Sequence, residues 1–249
     1  MKKLLLGIAA VCLAGFTFAQ DAPLWMRHSV ISPDGTTIAF TYKGDIYTVP
    51  VAGGRAMQIT TNPAYDTAPV WSPDSKRIAF ASDRMGSLDV YIVAKDGGEP
   101  RRLTTHSGSE TPLAFTDAGH VLFSAGIMPS AEAVVFPSNG QFNQVYRVSV
   151  EGGRPTMISS MPMECISINK EGAMLYQDKK GYEDYWRKHH VSPIARDIWM
   201  YTPGKEPQYR QLTTFGGEDR EPVWAPDGKT FYYLSEENGS FNIYRRTPG

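Results

Sequence analysis

A self-similar unit recurring every 40 to 50 residues or so constrains this 249-residue chain more than any other feature. Ser32-Pro33-Asp34-Gly35-Thr36-Thr37-Ile38-Ala39-Phe40 matches Ser72-Pro73-Asp74-Ser75-Lys76-Arg77-Ile78-Ala79-Phe80 at an offset of 40, and weaker copies lie at 116–123, 169–176 and 225–233. After each comes a second element: Asp45-Ile46-Tyr47, Asp89-Val90-Tyr91, Gln144-Val145-Tyr146, Asp197-Ile198-Trp199 and Asn242-Ile243-Tyr244. The first four units then close on a glycine turn and a short apolar–hydroxyl step, Ile59-Thr60, Leu103-Thr104, Ile158-Ser159 and Leu212-Thr213.

Each unit reads as four short strands joined by turns. In Pro-Asp-Gly, proline presets φ, aspartate supplies a side-chain acceptor and glycine tolerates positive φ. Runs such as Arg77-Ile78-Ala79-Phe80-Ala81-Ser82 and Asp89-Val90-Tyr91-Ile92-Val93 alternate as half-buried antiparallel strands do. A lone four-stranded sheet cannot bury both faces, and packing successive sheets around an axis solves this. The expected fold is therefore all-β, a β-propeller of four-stranded antiparallel blades, with about five blades present over 20–249 and the ring incomplete. A sandwich would leave so regular a repeat without a cause. Leu24 to Ile31 reads as the first strand of unit one, and unit five stops after its third strand at Phe241-Asn242-Ile243-Tyr244. Two open sheet edges are an association risk, so the chain is expected to be part of a longer protein.

Residues 1–19 read as an export signal. Lys2 and Lys3 precede an apolar run from Leu4 to Phe16, and Thr17-Phe18-Ala19 offers small residues for cleavage after Ala19. The 13-residue run is shorter than the ~20 apolar residues a membrane span needs, so no stable anchor is expected. A lipidated Cys12 fits poorly after Val11. The remaining 230 residues carry 23 basic and 26 acidic side chains, a net of −3, which gives no electrostatic case for nucleic acid or anionic lipid. Cys165 is then the one thiol left, so no intramolecular disulfide staples the fold. Within Met163-Glu164-Cys165-Ile166 it reads as a small buried hydrophobe.

The search for local chemistry is mostly negative. There is no Gly-x-Ser-x-Gly elbow, His-Glu-x-x-His, phosphate loop or paired-cysteine zinc site, and no cofactor is expected. Ser167 and Lys170 fit Ser-x-x-Lys, but they occupy the first-turn position of unit four, a structural place. His189-His190 would point to opposite faces of a strand, so a loop reading is preferred over a metal site. The Asp or Asn before the Ile/Val-Tyr step recurs in most units, as a scaffold element does.

Units differ most in one loop. From the last aromatic of the second strand to the aromatic of the third there are 7, 11, 23, 23 and 11 positions, so units three and four carry insertions, Ser124 to Gln141 and Gln177 to Ala195. These share a face with the connections entering the next blade, and loops on a rigid scaffold are where binding usually sits. The first insertion is apolar. The second interleaves Lys179, Lys180, Arg187, Lys188 and Arg196 with Tyr182, Tyr185 and Trp186. Tyr182, Tyr185, Trp186, Arg187 and His189 are the candidate binding residues, for a peptide, glycan or neighbouring domain. The competing reading is a solvated loop stapled to its own blade.

The repeat resembles the TolB-type propeller unit. More specific strings, Thr41-Tyr42-Lys43-Gly44-Asp45-Ile46-Tyr47, Asn62-Pro63-Ala64-Tyr65-Asp66-Thr67, Gly181-Tyr182-Glu183, Trp186-Arg187-Lys188-His189-His190, Arg196-Asp197-Ile198-Trp199 and Gly217-Glu218-Asp219-Arg220, resemble the N-terminal propeller of bacterial tricorn-protease homologues, secreted serine peptidases of the S41 class. The resemblance implies a propeller that gates or docks peptides for a downstream protease domain, with partners that are peptide or protein substrates and later domains of the same polypeptide. It also implies a periplasmic or secreted location and a possible homo-oligomer. In that family the peptidase residues lie far downstream, so no catalytic residue carries over. Alternatives are a TolB-like, non-enzymatic periplasmic scaffold and the propeller of a prolyl-oligopeptidase-type enzyme.

Overall fold

The structure is a computed structural model that describes residues 24–126, 143–181 and 192–249. Its strands fall into five blades. The first is β1 (Arg27–Ile31), β2 (Thr37–Tyr42), β3 (Asp45–Pro50) and β4 (Met57–Gln58), and the second is β5 (Asp66–Trp71), β6 (Arg77–Ser82), β7 (Asp89–Ala94) and β8 (Arg101–Arg102). The third is β9 (Glu110–Asp117), β10 (His120–Ala125), β11 (Gln144–Ser149) and β12 (Thr156–Ser159), and the fourth is β13 (Glu164–Ile168), β14 (Met174–Gln177), β15 (Ile198–Thr202) and β16 (Gln208–Gln211). The fifth is β17 (Asp219–Trp224), β18 (Phe231–Ser235) and β19 (Asn242–Arg246). Each is an antiparallel sheet in chain order, four-stranded in blades one to four and three-stranded in blade five. First strands of successive blades touch in the order β1, β5, β9, β13, β17, which places them innermost around a propeller axis. Among the described residues there is no helix.

The turn chemistry is that of the Ser-Pro-Asp motif. Ser32 Oγ donates to Asp34 Oδ1 at 2.6 Å, Asp34 Oδ1 accepts from the Thr36 amide at 3.0 Å, and the Thr37 amide returns to Ser32 Oγ at 3.0 Å. Ser72, Asp74, Lys76 and Arg77 repeat these contacts at 2.6, 3.1 and 2.9 Å. Unit three, which lacks the proline, closes its turn with the Gly119 amide on Asp117 Oδ1 at 2.7 Å.

The spacing of the aromatics fixes the register. Phe40 lies opposite Tyr47, Phe80 opposite Tyr91, Phe123 opposite Tyr146, Tyr176 opposite Trp199 and Tyr233 opposite Tyr244, one cross-strand pair in every blade. Strand alternation then serves two interfaces at once. Ile78 and Phe80 of β6 pack toward blade one with Ala39 and Ile46, whereas Ala79 between them packs toward blade three with Val121 and Phe123. Met174 and Tyr176 of β14 face blade three while Leu175 faces blade five with Phe231 and Tyr233. The core is thus a set of layers between blades, and no blade has a core of its own.

Inner strands carry a feature that alternation does not show. Each of β1, β5, β13 and β17 slips register by one residue, and at the slip His28, Ala68, Cys165 and Glu221 adopt φ of 51°, 52°, 53° and 53°. These are β-bulges, which bend the strand. In β9 Pro112 stands beside the slip, and its ring forbids positive φ. The bulge corrects the expectation for Cys165. This residue is exposed, because the extra residue turns its side chain away from the blade interface. Desolvation, with Glu221 and Glu164 beside it, pushes the thiol up to about 12.

Candidate functional site: the loop face

In an antiparallel blade the first strand starts, the second ends and the third starts at one end. The 2–3 loops and the connections entering each blade therefore share a face. Blade two shows this as a row, Asp66 opposite Ser82 and Ser82 opposite Asp89. Arg84 binds Asp66 through both carboxylate oxygens at 3.1 and 3.0 Å and lies over the Tyr91 ring at 4.5 Å. Arg102 holds Asp89 at 2.9 Å.

The stems of the fourth-blade insertion are fixed by a denser network. Lys180 Nζ donates to Ala195 O at 2.7 Å and to Asp197 Oδ2 at 2.5 Å. The Asp178 carboxylate accepts from the Asp197 amide at 2.8 Å and from Trp199 Nε1 at 3.1 Å; burial raises its pKa against these bonds and the Lys180 charge. Arg196 reaches Glu218 at 2.8 Å through Nη1 and at 3.0 Å through its own amide, and Glu164 accepts from Gln177 Nε2 at 3.1 Å and pairs with Lys179 at 3.2 Å. Both ends of the loop are therefore anchored to a rigid blade by charge-assisted bonds, the strong kind.

Of the candidate binding residues, Tyr182, Tyr185, Trp186, Arg187 and His189 lie outside the described residues, as does His190. The structure brings together the flanking Lys179, Lys180 and Arg196, all engaged by carboxylates. Ser167 and Lys170 form no nucleophile–base pair: Ser167 Oγ accepts from the Trp224 amide at 3.0 Å, a bond between blades. Among the described residues no three His, Cys, Asp or Glu side chains converge to hold a metal ion. The Asp before each Ile/Val-Tyr is a scaffold element, as expected. Asp45 accepts from Gln58 at 3.0 Å and from Thr60 at 3.3 Å, while the Thr60, Thr104 and Thr213 hydroxyls accept the Ile46, Val90 and Ile198 amides at 3.0, 2.9 and 2.9 Å. Sequence reasoning did not find that the Thr104 and Thr213 hydroxyls also meet Glu110 and Asp219 at the start of the next blade, although the recurring Thr six residues before Asp66, Glu110 and Asp219 carries that signal. On the opposite face a cleft of about 160 Å³ lies between blades three and four, lined by Ile158, Ile168, Met174 and Tyr201, and it is mostly apolar.

Comparison with known proteins gives a consistent result. Residues 23–249 match the model of the tricorn protease N-terminal β-propeller domain. The chain is 25% identical over 224 residues to tricorn protease homolog 1 of Streptomyces coelicolor, covering 90% of this chain and 20% of that protein. The crystal structure of the tricorn protease superposes with a TM-score of 0.69 at 18% identity, covering 91% of this chain and 22% of that one. The structure of a TolB from Agrobacterium tumefaciens superposes at 0.67 with 15% identity, covering 90% and 80%. At those identities the two structures show the fold alone. The chain spans about a fifth of the length of the Streptomyces relative. With the family model matched over nearly all of its described residues, the chain belongs to the tricorn protease N-terminal β-propeller domains.

Proposed function

We propose that this propeller docks or gates peptide substrates for a serine peptidase domain of the S41 class, and that cleavage takes place outside residues 24–249. Family membership supports this reading, together with a chain that matches only a fifth of a tricorn homologue's length. The observation that carries it is the anchored loop. The stems that flank the basic and aromatic insertion are fixed by Lys180–Asp197 and Arg196–Glu218, and in this reading fixed stems lower the ordering cost of docking. Tyr182, Tyr185, Trp186, Arg187 and His189 are its proposed contacts. In this reading residues 1–19 direct export to the periplasm or medium, and assembly joins the propeller to later domains and further copies.

The test is a serine-reactive fluorophosphonate probe with a labelled unfolded polypeptide such as reduced casein. The chain is expected to bind the casein without cleaving it and to take up no stoichiometric probe. Stoichiometric labelling lost on mutation of one serine would overturn the division of labour.

A further inference from the structure

Three of the four blade junctions are closed by the same backbone bond. The Asp66 amide donates to Gly44 O at 2.7 Å, the Glu110 amide to Leu88 O at 2.7 Å and the Asp219 amide to Arg196 O at 3.0 Å. Side chains at these places bring two carboxyls together. Counted from the aromatic pair, the residue two before the third-strand aromatic is Asp45, Asp89, Gln144 and Asp197, and the facing position of the next blade is Asp66, Glu110, Met163 and Asp219. Acid meets acid at three junctions, and at the fourth both are replaced together. There Ser159, which stands where the other junctions have threonine, turns its hydroxyl back to Met161.

Among the described residues each acid pair is met by one ion-pairing cation, Arg84 on Asp66, Arg102 on Asp89 and Lys180 on Asp197. The second carboxyl, Asp45, Glu110 or Asp219, is the one whose pKa is raised, in each case chiefly by burial. Glu110 is the extreme case. It is 1% exposed, and neither carboxyl oxygen has a hydrogen bond of regular geometry. Asp89 of β7, Arg102 of β8 and the Thr104 hydroxyl face it; Asp89 opposes its ionisation, while Thr104 and Arg102 favour it.

We propose that the Asp89–Glu110 junction is a proton-operated lock between the second and third blades, closed while Glu110 carries a proton and loosened when that proton leaves to solvent. Loss of the proton places a second negative charge in a buried site whose one cation is already bound to Asp89, and opening the junction is the way to hydrate it. Burial, with Asp89, pushes Glu110 from the usual 4.5 up to about 7. The sign follows from linkage. The closed state holds the proton more tightly than the open state, so opening grows easier as pH rises from about 4.5 and levels off above about 7.

The experiment is amide hydrogen exchange of the segment containing the Glu110 amide, corrected for intrinsic rates, in the wild type and in Glu110→Gln. Linkage gives a loss of protection of about tenfold between pH 6 and pH 8 in the wild type and none in the glutamine variant. A carbon-13 titration of the Glu110 carboxyl in the wild type supplies a reading that does not depend on the variant folding. Equal pH dependence in the two proteins, or a carboxyl that titrates below pH 5, would overturn the lock.

Discussion

Ser167 Oγ of β13 accepts the Trp224 amide of β17 at 3.0 Å, so the serine of the Ser-x-x-Lys pattern is a bond between the fourth and fifth blades. Trp224 adds a second, from Nε1 to Ala173 O at 3.1 Å, as Trp71 does to Val30 O at 3.2 Å between the first and second blades. Ser167→Ala leaves the Trp224 N–H without its partner and is expected to cost about 1–2 kcal/mol in urea denaturation. An unchanged midpoint would remove the bond from the account.

Phe123 is fully buried and faces Tyr146 across β10 and β11 with ring centroids 5.6 Å apart. Because blades share their cores, Phe123→Ala opens the layer between blades two and three and is expected to cost about 3–5 kcal/mol, as large aromatic truncations do. Hydrogen exchange should show the loss concentrated in blades two and three. A loss of protection spread evenly over all five blades would argue against a layered core.

The turn aspartates set the acid limb of stability. The Ser32 hydroxyl and the Thr36 amide hold Asp34 down to about 2, and the Thr230 and Lys229 amides do the same for Asp227. A carboxyl depressed in the folded state contributes stability that is present above its ordinary value and lost as pH falls through the folded one. The Asp34→Ala, Asp227→Ala double variant should therefore show a shallower loss of melting temperature between pH 4 and pH 2 than the wild type. Parallel curves would show that the turns do not titrate in this range.

Lys180 neutralises Asp197 at 2.5 Å and lies 3.5 Å from Asp178. Lys180→Met leaves two mostly buried carboxylates without their cation, and with the lysine one-third exposed the expected cost is about 2 kcal/mol. Adding Asp197→Asn should recover part of it. A double variant less stable than Lys180→Met alone would mean that Asp197 works through its other contacts.

Much of this architecture is legible in the residues. Spacings of 7, 11, 23, 23 and 11 between the aromatics are the cross-strand pairs from Phe40–Tyr47 to Tyr233–Tyr244, because a strand pair fixes which residues can face each other across a loop of any length. The bulges were not legible. Cys165 looks buried in a strict two-residue alternation, and a single slip between Glu164 and Ser167 reverses that. Nor was the pairing of Asp89 with Glu110, since the two meet across a blade junction and the pattern emerges only after the register is known. Fourth strands shrink to Met57–Gln58 and Arg101–Arg102 in the first two blades but keep four residues, Gln208–Gln211, in the fourth, although Ile59, Leu103 and Leu212 follow them with the same amide bond, to Ile46 O, Val90 O and Ile198 O.

The most direct measurement of the docking account is Trp186→Ala, followed by both thermal melting and binding of fluorescein-labelled casein by anisotropy. A loop that presents an aromatic anchor from fixed stems predicts an unchanged melting temperature and binding weakened about tenfold, the usual effect of losing a central tryptophan. A lowered melting temperature with casein binding intact would contradict it and show that the insertion only packs on its own blade.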